Sequence, residues 1–371
     1  MIIGAPAEIK TEEKKVALTP ALAHSLVSLG HKVVVQKGFA SGAGFSDFDY
    51  TKYGVETVNS AQEVYSASDV IVKINQPSFD EYDLLKDNQV IFAFFKFSEN
   101  DNLLDVVLDK KITTINLAKI KNNEGDYPFI KAGSEIVGKT LIRIVSDFAQ
   151  KYMGGALIGG ATGIAPMKIT VLGAGTVGLN AAKTALALGA DVSVLDIEPH
   201  VLEKYSNQTK IKTYFANREN VEKLLPETDV LICAVRRSKK DKYPIIKVDD
   251  VNLMKKGSFI IDAGLASGNI VVETMDRVQN AENPVFVNDG IYYFCAPDIA
   301  SMAAKTVSAC ISGIIEKYLV SAISFPDIID ALRNNREMIS GVMTYDGNIT
   351  DEETADEVGE LVYELSMLTG F

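Results

Sequence analysis

Residues 168–196 read KITVLGAGTVGLNAAKTALALGADVSVLD. The apolar run 168–172 predicts a strand, and a glycine-rich turn follows it directly. Apolar residues at helical spacing then predict a helix that ends at Gly189, and a second apolar run closes at Asp196. A strand, a tight turn, a helix and a second parallel strand form one βαβ unit, so this stretch predicts an α/β fold.

The glycines of this turn have the spacing that binds a dinucleotide. Gly173 permits the tight turn, Gly175 lets the backbone approach a pyrophosphate, and Gly178 lets the helix pack against the strand. Thr176 and Val177 begin the helix, whose unpaired N–H groups and positive dipole favour phosphate. The turn therefore predicts a Rossmann unit with these five residues as cofactor contacts.

An acidic residue at the end of the second strand completes the pattern. Asp196 lies 18 positions after Gly178, where a carboxylate accepts hydrogen bonds from the adenosine ribose. Its charge would repel a 2′-phosphate, and the next residues, Ile197-Glu198-Pro199, supply no arginine. The predicted cofactor is therefore NAD and not NADP. Three further contacts are expected, from Ser134 and from Ala234 and Val235 after the strand at 230–234.

The same alternation extends on both sides of this unit, with strands and helices alternating over the first 125 residues and again after residue 168. It predicts an α/β protein with two Rossmann-like domains and mostly parallel sheets. One long helix is expected from Ser134 to about Tyr152, and another from about Ile299 to Leu319. A single acidic amphipathic helix is expected from Thr350 to Met367. The basic run 236–243 is interpreted as a solvated loop.

Bulk properties exclude several classes of protein. The 371 residues carry 37 basic and 49 acidic side chains, a net charge of −12, which disfavours binding to nucleic acid or to an anionic membrane surface. The three cysteines, Cys233, Cys295 and Cys310, are widely spaced, which fits a reducing cytoplasm. No secretory or membrane-spanning segment is apparent.

The histidine count limits the chemistry. Only His24, His31 and His200 are present, each in a context typical of a surface residue. A histidine-based metal site or a Ser-His triad is therefore not expected.

Motifs along the whole chain resemble the alanine dehydrogenase / pyridine nucleotide transhydrogenase family. They are MIIGAPAEIKTEEKKVALTP at the start, VIVKINQP around Lys73, GSEIVG at 133–138, the Rossmann segment, TDVLICAV at 228–235, MKKGSFIIDAGLASG at 254–268 and NREMISGVMTYDGNIT near the end. The alanine dehydrogenase branch is the better match, since the long insertions of the transhydrogenase subunit are not evident.

The resemblance implies a discontinuous substrate domain, residues 1–128 plus 305–371, with an NAD domain inserted at 129–304. It places the active site in the cleft between them. It also implies a homo-oligomer, a dimer or a hexamer.

The family's substrate residues carry over only in part. Where the family has an arginine in its RVALTP motif, this chain has Lys15, and where it has a histidine after the next strand, this chain has Lys96. The family's lysine is kept as Lys73. The aspartate position holds Ala266, and an asparagine position holds Asp298. The resemblance thus implies Lys73, Lys96 and Asp298 as catalytic residues and all three lysines as substrate ligands.

If the three lysines converge, they predict a pocket that attracts a small anionic substrate. Mutual repulsion would lower the pKa of one of them and make it a base or proton donor, with Lys73 the best candidate. Taken alone, Lys15 and Lys96 are equally well interpreted as solvent-facing residues.

Other residues of the expected site have a structural interpretation as well as a functional one. Ser134 is either a cofactor contact or the N-cap of its helix. Tyr292, Tyr293 and Cys295 are interpreted mainly as core residues near the nicotinamide.

The leading hypothesis is an NAD-dependent oxidoreductase that interconverts a small anionic amino acid and its oxo acid, with a substrate other than plain alanine. Two alternatives stay open. One is an NAD(H)-binding sensor or interaction protein without dehydrogenase activity. The other is an imine-reducing dehydrogenase of the opine or saccharopine kind.

Overall fold

The computed structural model describes residues 1–10, 12–98, 102–206, 210–236, 244–264, 270–275, 283–294, 296 and 298–370. The chain divides into two compact units. Unit 1 comprises Met1–Gly133 and Ala304–Phe371, and unit 2 comprises Ser134–Ala303. The expectations for Ala266, Cys295 and most of the basic run 236–243 lie outside the described residues.

Unit 1 is built on an eight-stranded sheet in the order β15-β14-β6-β5-β4-β1-β2-β3. Labels follow the chain: β1 (Ile2–Ala5), β2 (Lys32–Gln36), β3 (Glu56–Val58), β4 (Val70–Asn75), β5 (Val90–Phe94), β6 (Thr113–Asn116), β14 (Val342–Tyr345) and β15 (Asn348–Ile349). The first six strands are parallel, and β14 and β15 are antiparallel. Chain order reverses at β1, which lies between β2 and β4. The carboxyl ends of β1 and β4 therefore form a topological switch point, the place where α/β sheets bind ligands.

Helices cover this sheet, as a parallel sheet requires. They are α1 (Pro20–Ser28), α2 (Asp47–Thr51), α3 (Ala61–Ala67), α4 (Leu103–Asp109), α10 (Ala304–Ile323), α11 (Ile328–Asn334), α12 (Glu352–Val358) and α13 (Leu365–Thr369). The long helix α5 (Pro128–Tyr152) runs across the boundary between the two units.

The apolar helical segment 300–323 has the length and composition of a membrane span, but half of its most apolar window is buried in the fold. Its Ser308 and Ser312 hydroxyls accept hydrogen bonds from the Val16 and Thr19 amides at 2.9 and 3.1 Å. These contacts are those of a core helix packed on the first residues of the chain.

Unit 2 is built on a seven-stranded sheet in the order β12-β13-β11-β10-β7-β8-β9. The elements are β7 (Lys168–Leu172), α6 (Thr176–Ala187), β8 (Asp191–Asp196), α7 (Pro199–Ser206), β9 (Lys212–Phe215), α8 (Arg218–Leu224), β10 (Val230–Cys233), α9 (Val248–Asn252), β11 (Phe259–Asp262), β12 (Val285–Asn288) and β13 (Ile291–Phe294). Only β12 is antiparallel to its neighbour. The two mostly parallel sheets confirm the predicted α/β class, and the switch point of this sheet lies between β7 and β10.

Some predicted helices differ from those observed. The expected helix from Thr350 to Met367 is wrong, because Gly359 adopts a left-handed conformation with φ +71° and ends α12 there. The predicted N-terminus at Ser134 is also wrong, since α5 begins at Pro128. The helix expected from Ile299 starts as a 3-10 turn at Ala300 and continues to Ile323.

Candidate functional site

The glycine-rich turn of unit 2 has no room for side chains at two of its glycines. Gly173 has φ +95°, and a Cβ there would lie 2.7 Å from the carbonyl oxygen of Ala234. A Cβ on Gly178 would lie 1.9 Å from the carbonyl oxygen of Gly173. Both glycines are therefore required by packing at the β7–β10 switch point, where Ala234 and Val235 follow β10.

The third glycine faces open space. A Cβ on Gly175 would meet no atom within 4 Å, and Gly175 and Thr176 are exposed at the start of α6. Val177 is half-buried beside them. The first N–H groups of a helix have no partner within the helix and form a cradle for a pyrophosphate. The described residues thus fit the phosphates of a dinucleotide.

Asp196 connects this turn to the end of β8. The Ala174 amide donates to Asp196 Oδ2 at 2.6 Å, and the Glu198 amide donates to Oδ1 at 2.9 Å. An ionised carboxylate has about four acceptor positions, so this half-buried group retains capacity for ribose hydroxyls. Asp196 therefore fixes the glycine-rich turn, and its remaining acceptor positions fit the hydroxyls of a ribose.

The motif GSEIVG has a packing role that the sequence did not reveal. Ser134 is half-buried inside α5, and its neighbour Glu135 is exposed and paired with Lys139 at 2.6 Å. A Cβ on Gly138 would lie 2.3 Å from the Val177 carbonyl oxygen. Gly138 thus allows α5 to contact the first turn of α6. The expected cofactor contact of Ser134 stays a prediction.

Lys73 lies in unit 1, on β4 near the β1–β4 switch point, and is only 2% exposed. Its ammonium group pairs with Glu81 at 2.5 Å. The same carboxylate accepts a hydrogen bond from the Tyr65 hydroxyl at 2.8 Å and from the Ser78 amide at 2.9 Å. Burial, followed by the Glu81 charge, raises the pKa of Tyr65 well above its ordinary range.

Lys15 is also buried and paired. It is 7% exposed, and its ammonium group lies 2.9 Å from Glu13 Oε1. The other Glu13 oxygen accepts a hydrogen bond from Asn75 Nδ2 at 3.1 Å. Asn75 Nδ2 also donates to Glu8 Oε2 at 3.2 Å, so the end of β4 joins two carboxylates.

The lysine-only pocket predicted from the sequence is therefore wrong in its charge. Lys15 and Lys73 lie beside three glutamates, Glu8, Glu13 and Glu81, so mutual repulsion between lysines is not the main electrostatic effect. Lys96 has an exposed side chain, and its amide donates to Gln76 Oε1 at 2.7 Å, which links the residues after β5 to the end of β4.

A pocket of about 380 Å³ opens in unit 1; Lys73 lines it, whereas Lys15, Lys96 and Glu13 do not. Glu8, Lys10, Lys73, Asn75, Gln76 and Glu81 supply its polar lining. A larger pocket, of about 680 Å³, opens at the amino-terminal edge of the same sheet, beside Met1, Val70 and Val90. It contains none of the predicted site residues. We therefore identify the smaller pocket, at the carboxyl edge, as the candidate substrate site.

The remaining predicted residues belong to unit 2. Asp298 belongs to unit 2, where its carboxylate accepts hydrogen bonds from the Ser301 amide and hydroxyl at 3.2 and 2.8 Å. Tyr293 is 1% exposed and stacks on Phe286, and Tyr292 packs edge-on against Phe148, so both are core residues.

The histidines have ordinary surroundings. His24 stacks on Tyr53, His31 lies 3.5 Å from the terminal amine, and His200 lies 3.5 Å from Glu198. Within the part of the chain that the structure describes, no group of three or more histidine, cysteine or acidic side chains is arranged to hold a metal.

Glu8, Glu13 and Glu81 are the site residues that sequence reasoning missed. The spacing Ser78-x-x-Glu81 is that of a capping box, and Glu81 does cap the turn that begins at Ser78. Its second oxygen binds Lys73, and no local pattern signals that ion pair. The pair joins residues eight positions apart in the sequence, and only the folded structure brings them together.

The whole chain is similar to known proteins. Profiles described as "Alanine dehydrogenase/PNT, N-terminal domain" and "Alanine dehydrogenase/PNT, C-terminal domain" match residues 4–137 and 145–352. An alanine dehydrogenase of Methanococcus maripaludis is 30% identical over 359 residues, which cover 96% of each chain. Alanine dehydrogenase 2 of Staphylococcus aureus is 30% identical over 368 residues, which cover 98% of each chain.

Solved structures show the same likeness. The structure of an L-alanine dehydrogenase matches with a TM-score of 0.89 and 26% identity, over 97% of this chain and 99% of that one. A transhydrogenase from Sinorhizobium meliloti matches with a TM-score of 0.80 and 21% identity, over 95% and 100% of the two chains, which shows a shared fold.

Proposed function

This chain belongs to the alanine dehydrogenase/PNT family, and from that premise we propose that it is an NAD-dependent oxidoreductase that interconverts a small anionic amino acid and its oxo acid. The observation that carries the proposal is the open cradle at Gly175 together with the Asp196 carboxylate at the end of β8. A cradle and an acidic residue at this spacing suit NAD.

The cofactor preference follows from charge. Asp196 favours two ribose hydroxyls and repels a 2′-phosphate, and Ile197-Glu198-Pro199 add no positive charge. Bound NAD would supply the hydride acceptor, and the chain would supply orientation and proton management. The residues for the first task are those of the turn and of β10, with Ala234 and Val235 as expected contacts and Ser134 as a further one.

The substrate would bind at the unit 1 pocket. An ammonium group has three donors, and Lys73 uses one of them on Glu81, which leaves donors for a substrate carboxylate or carbonyl oxygen. We assign Lys73 the central role in substrate binding and proton transfer. Lys15 and Lys96 are proposed as supporting ligands, and Lys96 and Asp298 as further catalytic residues.

A substrate other than plain alanine is favoured by three substitutions relative to the family pattern: Lys15 for arginine, Lys96 for histidine and Ala266 for aspartate. A lysine lacks the two-pronged carboxylate contact of an arginine. Glu8 and Glu81 line the pocket beside Lys73 and offset its positive charge, so a second acidic group on the substrate is not required.

We propose a cytoplasmic location, which the few and widely spaced cysteines support. The chain's acidity supports the proposal that neither nucleic acid nor a membrane is its partner. A homo-oligomer is proposed from the family resemblance alone.

A screen of NADH formation tests the proposal. The protein is incubated with NAD or NADP and a panel of amino acids and hydroxy acids, and absorbance of the reduced cofactor is followed. Turnover of at least one amino acid with NAD is expected. In a second arm, NADH is oxidised with oxo acids in the presence of ammonia or of a second amino acid. NADH oxidation that requires an amino acid in addition to the oxo acid, and does not occur with ammonia, would favour the imine-reducing alternative. NADH binding without any turnover would favour a sensor.

A further inference from the structure

Strand β4 contains a bulge at Lys73. Val72 is paired with Phe92, and the next pair along the ladder joins Asn75 to Phe94. Lys73 and Ile74 thus share the interval that Ala93 alone spans on β5. Such an extra residue re-aims the side chains beside it and leaves backbone groups without a ladder partner.

Glu8 takes over the hydrogen bonds at this bulge. Strand β1 pairs with β4 only at Ile3↔Val70 and Gly4↔Ile71, and it ends before the bulge. Beyond that end the Ile74 amide donates to Glu8 Oε1 at 2.7 Å, and the Asn75 amide donates to Oε2 at 3.3 Å. The carboxylate therefore replaces a strand as the acceptor for the bulged backbone.

The charges around Glu8 come from several elements. Lys73 on β4 is the nearest favourable charge, and Glu13 in the loop after β1 is an unfavourable one. Tyr65 on α3 interacts with Glu8, while Lys10 and Glu81 line the same pocket. Burial raises the pKa of Glu8 above its ordinary value of 4.5, and Lys73 and the backbone donors offset only part of that effect.

We propose that Glu8 is a positioning residue for Lys73, and that its ionised carboxylate holds the β4 bulge in the form that presents the lysine to the pocket. The proposal rests on the proposed function only in so far as Lys73 acts on substrate. The contact with the bulge itself is independent of any reaction.

Protonation of Glu8 would weaken this arrangement. One oxygen would become a hydroxyl donor, whereas the Ile74 amide, the Asn75 amide and the Asn75 side chain all donate N–H groups to this carboxylate. The bulge would lose acceptors, and Lys73 would lose a nearby negative charge. Because the pKa of Glu8 is raised, this loss begins at a higher pH than for an ordinary glutamate, and it produces an acid limb in the activity profile.

Two variants and a control test the proposal. Glu8→Gln keeps the size of the side chain but cannot ionise, Glu8→Asp keeps the charge on a shorter side chain, and Glu12→Gln removes a carboxylate from the same loop. We expect Glu8→Gln to lower kcat/KM by about 10- to 100-fold, the cost of a misplaced reacting group, and to remove the acid limb. Glu8→Asp should recover part of the activity with the limb present, and Glu12→Gln should match the unchanged protein.

Amide hydrogen exchange at Ile74 gives a readout that needs no substrate. Its protection should fall by roughly 10-fold in Glu8→Gln, the effect of one hydrogen bond to a charged acceptor. In the unchanged protein it should fall as the pH is lowered through the Glu8 transition.

An unaltered acid limb and unaltered Ile74 protection in Glu8→Gln would overturn the proposal. If that variant does not fold, the pH dependence of Ile74 protection in the unchanged protein tests the proposal by itself. Protection that does not fall in acid would then overturn it. If no amino acid is turned over, the proposed function fails, and the exchange measurement still tests the role of Glu8.

Discussion

Asp196 holds the amides of Ala174 and Glu198 on its two oxygens, at 2.6 and 2.9 Å. At the scale of single residues, this carboxylate combines two tasks that a substitution can separate. One task, seen in the structure, is to fix the glycine-rich turn, and the other, which we propose, is to place negative charge at the ribose of NAD.

We expect Asp196→Ala to weaken NADH binding by about 10-fold or more, because a hydrogen bond to a charged group contributes about 1.5–3 kcal/mol. The difference in affinity between NADH and NADPH should also become smaller. Fluorescence titration of both cofactors measures this. Asp196→Asn is the matched control, since it removes the charge but keeps one oxygen, which can accept only one of the two amides. It should narrow the difference in affinity between the two cofactors with less loss of NADH affinity than Asp196→Ala. Equal affinities for both cofactors in the unchanged protein would contradict the assignment.

Lys73 supplies a second test at the same scale. Lys73→Met should lower turnover by at least about 100-fold, the size of a removed acid–base group. The NADH dissociation constant should stay within about 2-fold, a change of about 0.4 kcal/mol in binding free energy. The reason is that Lys73 belongs to unit 1, whereas the phosphate turn belongs to unit 2. Steady-state kinetics and fluorescence titration measure the two effects.

Stability must be separated from activity in that variant. Removing Lys73 leaves Glu81 buried without its partner, which costs about 3–5 kcal/mol. The double variant Lys73→Met/Glu81→Gln should regain much of the free energy of unfolding without regaining turnover. Recovery of turnover in the double variant would show that Lys73 serves the fold alone.

At the scale of elements, helix α5 offers a matched pair of glycines. Gly138 lies against α6, where an added Cβ would be 2.3 Å from the Val177 carbonyl oxygen, whereas a Cβ on Gly133 would meet no atom within 4 Å. The close approach of α5 to the first turn of α6 therefore depends on Gly138 and not on Gly133.

We expect Gly138→Ala to lower the free energy of unfolding by about 1–3 kcal/mol, the usual cost of overpacking. It should also weaken NADH binding, since the first turn of α6 must move. Gly133→Ala should instead raise the free energy of unfolding by about 0.5–1 kcal/mol, because alanine is the better helix former. Urea unfolding and NADH titration test both variants, and a neutral Gly138→Ala would show that α5 is not held against α6 as described.

At the scale of the whole molecule, the chain returns to its first unit after the inserted one. Strand β14 pairs with β6, and Lys119 binds Asp351 at the start of α12 at 2.6 Å. Burial alone would raise the pKa of Asp351, but hydrogen bonds from Lys119 and Thr354 outweigh it, and the pKa lies below the ordinary value of 3.8.

The sign of the resulting pH dependence follows from linkage. A carboxyl group with a lowered pKa in the folded state stabilises the fold above its unfolded pKa, and this contribution is lost as the pH falls through the folded value. Asp351→Asn should therefore be less stable than the unchanged protein at pH about 7, and the difference should shrink in acid below the ordinary value of 3.8. Urea unfolding across this range measures it. A difference that is independent of pH would assign the effect to packing.

The sequence by itself determined the class of fold, the Rossmann turn and the acidic residue that follows it, because strand periodicity, glycine spacing and the end of β8 are local properties. It determined the helix ends less well. A left-handed Gly359 divides the expected C-terminal helix, and Ser134, expected at the start of its helix, lies inside α5.

Only the tertiary structure decided the charges in and around the candidate substrate pocket. Lys15 and Lys73 were visible as lysines, but their partners Glu13 and Glu81 are set by how β1 and β4 end at one edge of the sheet. The role of Glu8 needed the bulge in β4, which no spacing in the sequence reports. The physical reason is that the field at a side chain sums over every charge near it in space, and neighbours in space come from strands far apart in the chain.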